Sequence, residues 1–101
     1  MATYLLAYRG GSVAQTDEER EKAMAAWGAW FGTLGPAVVD PGNPFAASAS
    51  VGNGGGAAAS GLSGYSILTA DSLGAATELA KSCPLLDSGG DVDVYETHPV
   101  M

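Results

Sequence analysis

A strand, a turn and a helix follow one another without interruption over residues 64–84, and this succession constrains the fold most. Residues 65–69 mix aromatic, β-branched and aliphatic side chains, which is typical of a half-buried strand. Asp71 or Ser72 can accept a backbone N–H at a helix start. Apolar residues then recur at helical spacing as far as Cys83. Pro84 ends the run because it lacks an N–H and restricts the preceding residue.

The first third of the chain predicts a second strand and a longer helix. Residues 4–8 form a near-continuous apolar run, which favours a strand in the interior of a sheet. Thr16 and Glu19 have the spacing of a capping box, so we predict a helix over residues 17–34. Gly35 and Pro36 supply its C-terminal stop. The apolar stripe of this helix consists of Ala23, Met24, Trp27, Trp30, Phe31 and Leu34.

Two glycines, Gly28 and Gly32, interrupt this helix. Each costs about 1 kcal/mol relative to alanine in a helix interior. These glycines therefore predict that another element, such as a second subunit, approaches the helix backbone closely at this face.

The remaining segments predict short strands joined by turns. Residues 37–40 and 45–51 are predicted as two short strands, and residues 91–98 as a closing strand with Val92 and Val94 facing inward. Residues 52–64 form a Gly/Ala-rich segment without a nearby Lys or Arg, so a flexible connection is favoured over a phosphate site. This order predicts an α+β domain with two helices on one face of an antiparallel sheet.

Length and composition restrict the domain count and the partners. We expect one domain over residues 1–101. The excess of 11 acidic over 4 basic residues argues against nucleic acid or an anionic membrane as a partner. A single cysteine, no secretory signal and no apolar run of about 20 residues predict a cytoplasmic protein. No motif predicts a cofactor or a metal site.

The sequence also resembles a known family. The opening Tyr-Leu-Leu-Ala-Tyr strand, the Trp-bearing helix, the Pro-Gly-Asn-Pro-Phe turn, the Gly-Tyr-Ser-Ile-Leu-Thr-Ala-Asp-Ser-Leu segment and the closing Asp-Val-Asp-Val-Tyr-Glu strand are similar to the YCII-related family, including its DGPF-motif branch. The resemblance covers nearly the whole chain. It implies a ferredoxin-like domain that pairs into a dimeric α/β barrel, with a pocket in each subunit between the sheet and its helix.

Some members of this family have a proposed enzymatic role. For them the resemblance implies an acid/base pair, which consists of a histidine on the first helix and an aspartate on the next strand. Asp40 matches the aspartate, and Trp27 stands where the histidine is expected. The Asp-Gly-Pro-Phe motif is altered here over residues 40–45.

Three residues are candidates on chemical grounds alone, without the family resemblance. Asp40 can act as a general base, although an aspartate before Pro-Gly more often accepts N–H bonds in a turn. His98 is the only histidine and is expected to be exposed near the chain end. Cys83 is expected to be a buried structural thiol.

Two functional hypotheses follow from these candidates. The first is a homodimer that binds a small molecule in a pocket between the sheet and the first helix. The second is a small lyase or isomerase with Asp40 as acid/base and Tyr8 or Tyr65 as its partner. Core packing is the simpler explanation of the aromatic stripe. The predicted ligand-binding residues are Tyr8, Trp27, Trp30, Phe31 and Tyr65.

Overall fold

Four antiparallel strands of the described residues form one sheet, in the order β2 (Val38–Asp40), β3 (Leu62–Ala70), β1 (Ala2–Arg9) and β4 (Asp91–Glu96). The computed structural model describes residues 2–11, 15–52 and 61–99. The predicted α+β class with an antiparallel sheet is confirmed, and the strand order is compatible with a ferredoxin-like arrangement. In chain order the elements are β1 (Ala2–Arg9), α1 (Asp17–Leu34), a 3₁₀ turn (Gly35–Ala37), β2 (Val38–Asp40), β3 (Leu62–Ala70), α2 (Leu73–Ala80), α3 (Pro84–Asp87) and β4 (Asp91–Glu96).

The first strand occupies the interior of the sheet, as its apolar run predicts. β1 pairs with β3 along one edge and with β4 along the other. Because neighbouring side chains of a strand point to opposite faces, Tyr4, Leu6 and Tyr8 share one face, and both helices pack against it. The opposite face carries Leu5 and Ala7.

Local capping signals define α1, whose predicted bounds are confirmed. The Thr16 hydroxyl accepts the Glu19 N–H at 3.1 Å, and the Glu19 carboxylate accepts the Gln15 N–H at 2.7 Å. In the usual capping box this carboxylate accepts the N–H of the cap residue itself, which here is Thr16. In this helix it accepts the N–H of the preceding residue instead. At the other end, Gly35 has φ +55° and donates its N–H to the Phe31 carbonyl.

A single cluster of side chains joins both helices to the sheet. The Trp30 indole N–H lies within hydrogen-bond reach of the Leu79 carbonyl at 3.2 Å and of the Ser82 hydroxyl at 3.0 Å, which ties α1 to the end of α2. Val92 and Val94 pack against the core, so their predicted inward orientation is confirmed. The buried members of this cluster are Leu6, Tyr8, Trp30, Leu34, Leu68, Ala80 and Cys83.

Three local predictions are wrong. Residues 45–51 form no strand; only Pro44 makes an isolated bridge, to Gly64. β3 starts at Leu62, so residues 62–64 belong to a strand and not to the Gly/Ala-rich loop, whose residues 53–60 lie outside the described part. α2 ends at Ala80, before Cys83, and Pro84 begins α3 because a first helical position needs no N–H.

Within the described ranges, no helix combines the length and apolar character needed to cross a membrane.

The two glycines of α1 give a direct stability test. A Cβ at Gly28 or Gly32 would meet no atom of the described residues within 4 Å, so no close approach among these residues requires a glycine there. We expect Gly28→Ala and Gly32→Ala each to stabilise the monomer by about 1 kcal/mol, because alanine is the better helix former. Chemical denaturation measures this, and sedimentation of the same variants shows whether a second copy packs on this face. A loss of stability at either position would contradict the prediction.

Candidate functional site

A cavity of about 510 Å³ lies between α1 and the sheet. Its helical wall is built from residues three, four and seven positions apart, which places them on one side of α1. Met24 lines it and is 69% exposed, so the cavity opens to solvent near this side chain. The lining residues are Tyr8, Gly10, Gly11, Arg20, Ala23, Met24, Trp27, Phe31, Pro41, Gly42, Asn43, Pro44, Ser63, Gly64, Tyr65 and Leu85.

Aromatic rings form the inner part of the wall. The Tyr8 and Trp27 rings meet edge to face, with centroids 5.2 Å apart and an interplanar angle of 68°. The Trp27 and Phe31 centroids lie 5.9 Å apart. Trp30 is 4% exposed and is not among the lining residues, because its ring is turned into the core. The structure thus brings Tyr8, Trp27 and Phe31 to the cavity and places Trp30 behind them.

A chain of two hydrogen bonds supports the wall formed by the segment after β2. The Tyr8 hydroxyl donates to the Ser66 Oγ at 2.6 Å, and the Ser66 hydroxyl donates to the Pro41 carbonyl at 2.7 Å. Ser66 is fully buried, so its bond with Tyr8 forms away from water, whereas Pro41 is exposed. Burial is the main cause that raises the pKa of Tyr8, which keeps this hydroxyl protonated as a donor.

Glycines allow this segment to lie directly against β3. Gly42 has φ +75°, and a Cβ there would overlap the Tyr65 carbonyl oxygen. A Cβ at Gly64 would lie 3.1 Å from the Asn43 carbonyl oxygen and 3.5 Å from the Tyr8 ring. The width of the cavity on this side therefore depends on two positions without side chains.

Asp40 and Tyr65 are paired with each other on the opposite face of the sheet. Tyr65 is the cross-strand partner of Ala7, so its side chain points away from the helices. Its hydroxyl donates to the Asp40 Oδ2 at 3.4 Å, and its ring stacks on Phe45 at 5.9 Å. The Asp40 Oδ1 accepts the Gly42 N–H at 2.8 Å, which is the turn geometry expected for an aspartate before Pro-Gly. Asp40 is not among the lining residues of the cavity, whereas Tyr65 is.

The remaining candidates lie apart from the cavity lining. Cys83 is 1% exposed, and burial raises the pKa of its thiol to about 11, so it is protonated and unreactive at neutral pH. His98 is exposed, beyond the end of β4. No group of three or more His, Cys, Asp or Glu side chains with metal-binding geometry occurs in the described ranges.

Sequence reasoning missed two features of the cavity. Arg20 lies seven residues before Trp27, so continuing the helical stripe by two turns toward the N-terminus would have found it. Ser66 gave no local signal, since a serine alternating within a strand is usually solvated. Only the register between β1 and β3 brings it beside Tyr8.

Comparison with protein-family models, curated proteins and solved structures gives no match for this chain. The resemblance to the YCII-related family therefore stays a prediction.

The Tyr8–Ser66–Pro41 chain predicts unequal effects for its two side chains. Ser66→Ala leaves both the Tyr8 hydroxyl and the Pro41 carbonyl without their buried partner, and we expect a loss of about 1–3 kcal/mol in unfolding free energy. Tyr8→Phe keeps the bond from Ser66 to Pro41 and should cost about 1 kcal/mol.

Urea denaturation with an unchanged m-value measures both effects. Ser63→Ala is the matched control, because Ser63 lies in β3 like Ser66 but is only half-buried, and its hydroxyl has longer bonds, to the Tyr8 carbonyl at 3.2 Å and the Gly10 carbonyl at 3.4 Å. Equal losses for Ser66→Ala and Tyr8→Phe would show that Ser66 does not hold the Pro41 wall.

Proposed function

We propose that this chain is a YCII-related, ferredoxin-like protein that forms a homodimeric α/β barrel and binds a small, largely apolar molecule between the sheet and α1. The observation that carries the proposal is the cavity of about 510 Å³, which lies within the size range of small-molecule sites. Its aromatic wall of Tyr8, Trp27 and Phe31 offers ring faces and edges to a ligand.

The backbone geometry favours a binding site over a simple packing defect. Gly42 adopts a left-handed conformation, and Gly64 admits the neighbouring segment without a side chain. Ser66 holds the same segment through its bond to the Pro41 carbonyl. Such specific support keeps a wall in place around a space that side chains do not fill.

The second hypothesis, an enzyme with Asp40 as acid/base, receives less support. Both carboxylate oxygens of Asp40 already accept hydrogen bonds, one from the Tyr65 hydroxyl on the same face of the sheet and one from the Gly42 N–H in the turn. The cavity lies on the other face. A ligand held against Trp27 would therefore not contact this carboxylate.

The uncovered face of the sheet supports the homodimer. In the part of the chain that the structure describes, no helix packs on the face that carries Leu5 and Tyr65. Val39 and Tyr95 are 57% and 55% exposed at its two sides. Pairing of two such faces would bury these apolar side chains, which is the contact that an α/β barrel dimer requires.

Binding is tested with the neutral fluorescent probe N-phenyl-1-naphthylamine. We expect a saturable increase in fluorescence, because the aromatic wall excludes water from the bound probe. Met24→Glu should weaken this binding about tenfold or more, since it places a carboxylate at the cavity opening and desolvating a charge is costly.

Ala26→Glu is the matched control, because it adds the same charge to an exposed position of α1 outside the lining. Its binding should equal that of the unaltered protein. The absence of saturable fluorescence, or equal loss in both variants, would contradict a site in this cavity.

The dimer is tested by sedimentation at micromolar concentration. We expect a species of twice the 10.1 kDa chain mass. Val39→Lys should shift it to monomer, because the charge would lie in the buried interface. Leu86→Lys, on α3 and 41% exposed, should leave the dimer intact. A monomer in the unaltered protein would contradict the prediction.

A further inference from the structure

Among the described residues that line the cavity there is one cationic side chain and no carboxylate. Arg20 is the single charged side chain among the described residues that line the cavity. This placement runs against composition, because the chain carries 11 acidic and only 4 basic residues. A charged ligand group at this wall would therefore meet a positive partner.

The present partner of Arg20 is weakly held. Its Nη1 lies 2.8 Å from the Asp17 Oδ1, one helical turn away, and the two side chains are 62% and 92% exposed. Ion pairs with this exposure contribute little, since water solvates both groups almost as well. A ligand carboxylate can therefore compete with Asp17, and the guanidinium fork can bind it through two parallel hydrogen bonds.

The spacing along α1 places the cation beyond the aromatic wall. Arg20 and Trp27 are seven residues apart, which is about 10 Å along the helix axis. Met24 lies between them and also lines the cavity. A ligand that contacts the Trp27 ring can thus extend past Met24 and place one end near the guanidinium at the opening.

Resting on the proposed binding function, we infer that the cavity takes a planar aromatic carboxylate, with its rings against Trp27 and Phe31 and its carboxylate paired with Arg20. The rings satisfy the apolar wall, and the carboxylate stays at the solvent-exposed opening, so no ligand charge is buried. The Tyr8 hydroxyl donates its hydrogen to Ser66, so it can act toward a ligand only as a hydrogen-bond acceptor.

The acidic neighbours of Arg20 are the main opposing factor. Glu18, Glu19 and Glu21 surround it in sequence but are absent from the lining, and the Glu19 carboxylate accepts the Gln15 N–H. Arg20 also lies in the first turns of α1, where the helix dipole favours an anion. At 0.1 M salt, repulsion from acidic residues more than about 10 Å away is largely screened.

The test compares two ligands that differ in charge but have the same rings, 2-naphthoate and 2-naphthamide, by isothermal titration calorimetry. We expect 2-naphthoate to bind about tenfold more tightly than 2-naphthamide in about 0.1 M salt, because hydrogen bonds to charged groups are the stronger ones. Arg20→Gln should remove this difference by weakening the binding of 2-naphthoate. Added salt should weaken only the binding of 2-naphthoate.

Lys22→Gln is the control, because it changes net charge by the same amount from an exposed position of α1 outside the lining. It should keep the preference for 2-naphthoate. Equal affinity for the two ligands, or a preference that survives Arg20→Gln, would overturn the carboxylate assignment while leaving binding in the cavity intact. Failure of both ligands to bind would overturn the proposed function together with this assignment.

Discussion

Pairing along both edges of β1 is the constraint on which the rest of the domain depends. β1 holds β3 on one side and β4 on the other, so its register assigns every neighbouring side chain to one of two faces. A shift of one residue would exchange the faces. Tyr8 would then leave the cavity and lose the Ser66 hydroxyl that it contacts at 2.6 Å. The core, the cavity wall and the uncovered face therefore follow from one strand alignment.

The elements with strong local signals could be predicted from the sequence. Thr16, Glu19 and Gly35 act on the backbone within a few residues, and the bounds of α1 match their positions. The weaker patterns failed for physical reasons. Between Phe45 and Val51 the chain carries only alanine and serine, whose side chains bury too little surface to hold a strand. The start of β3 was missed because Gly64 reads as loop, although a glycine there admits the Asn43 carbonyl oxygen at close range.

The candidate site was predictable where one helix supplies it. Trp27 and Phe31 share a face of α1 by spacing alone, and both line the cavity. The separation of Asp40 from that cavity was not predictable, because it depends on pairing between segments far apart in the chain. Strand alternation directs Tyr65 to the uncovered face, where its hydroxyl meets Asp40. Residues that sequence reasoning grouped into one site therefore lie on two sides of the sheet.

The segment from Pro41 to Phe45 touches both sides of that sheet within five residues. Its first carbonyl accepts the buried Ser66 hydroxyl beside the cavity, and its last ring stacks on Tyr65 on the uncovered face. Both contacts are made to β3 by residues four positions apart, so a molecule that displaced the Pro41 end would also move the Phe45 end. Occupancy of the cavity and association through the uncovered face would then be thermodynamically linked. Each would change the equilibrium constant of the other by the same factor.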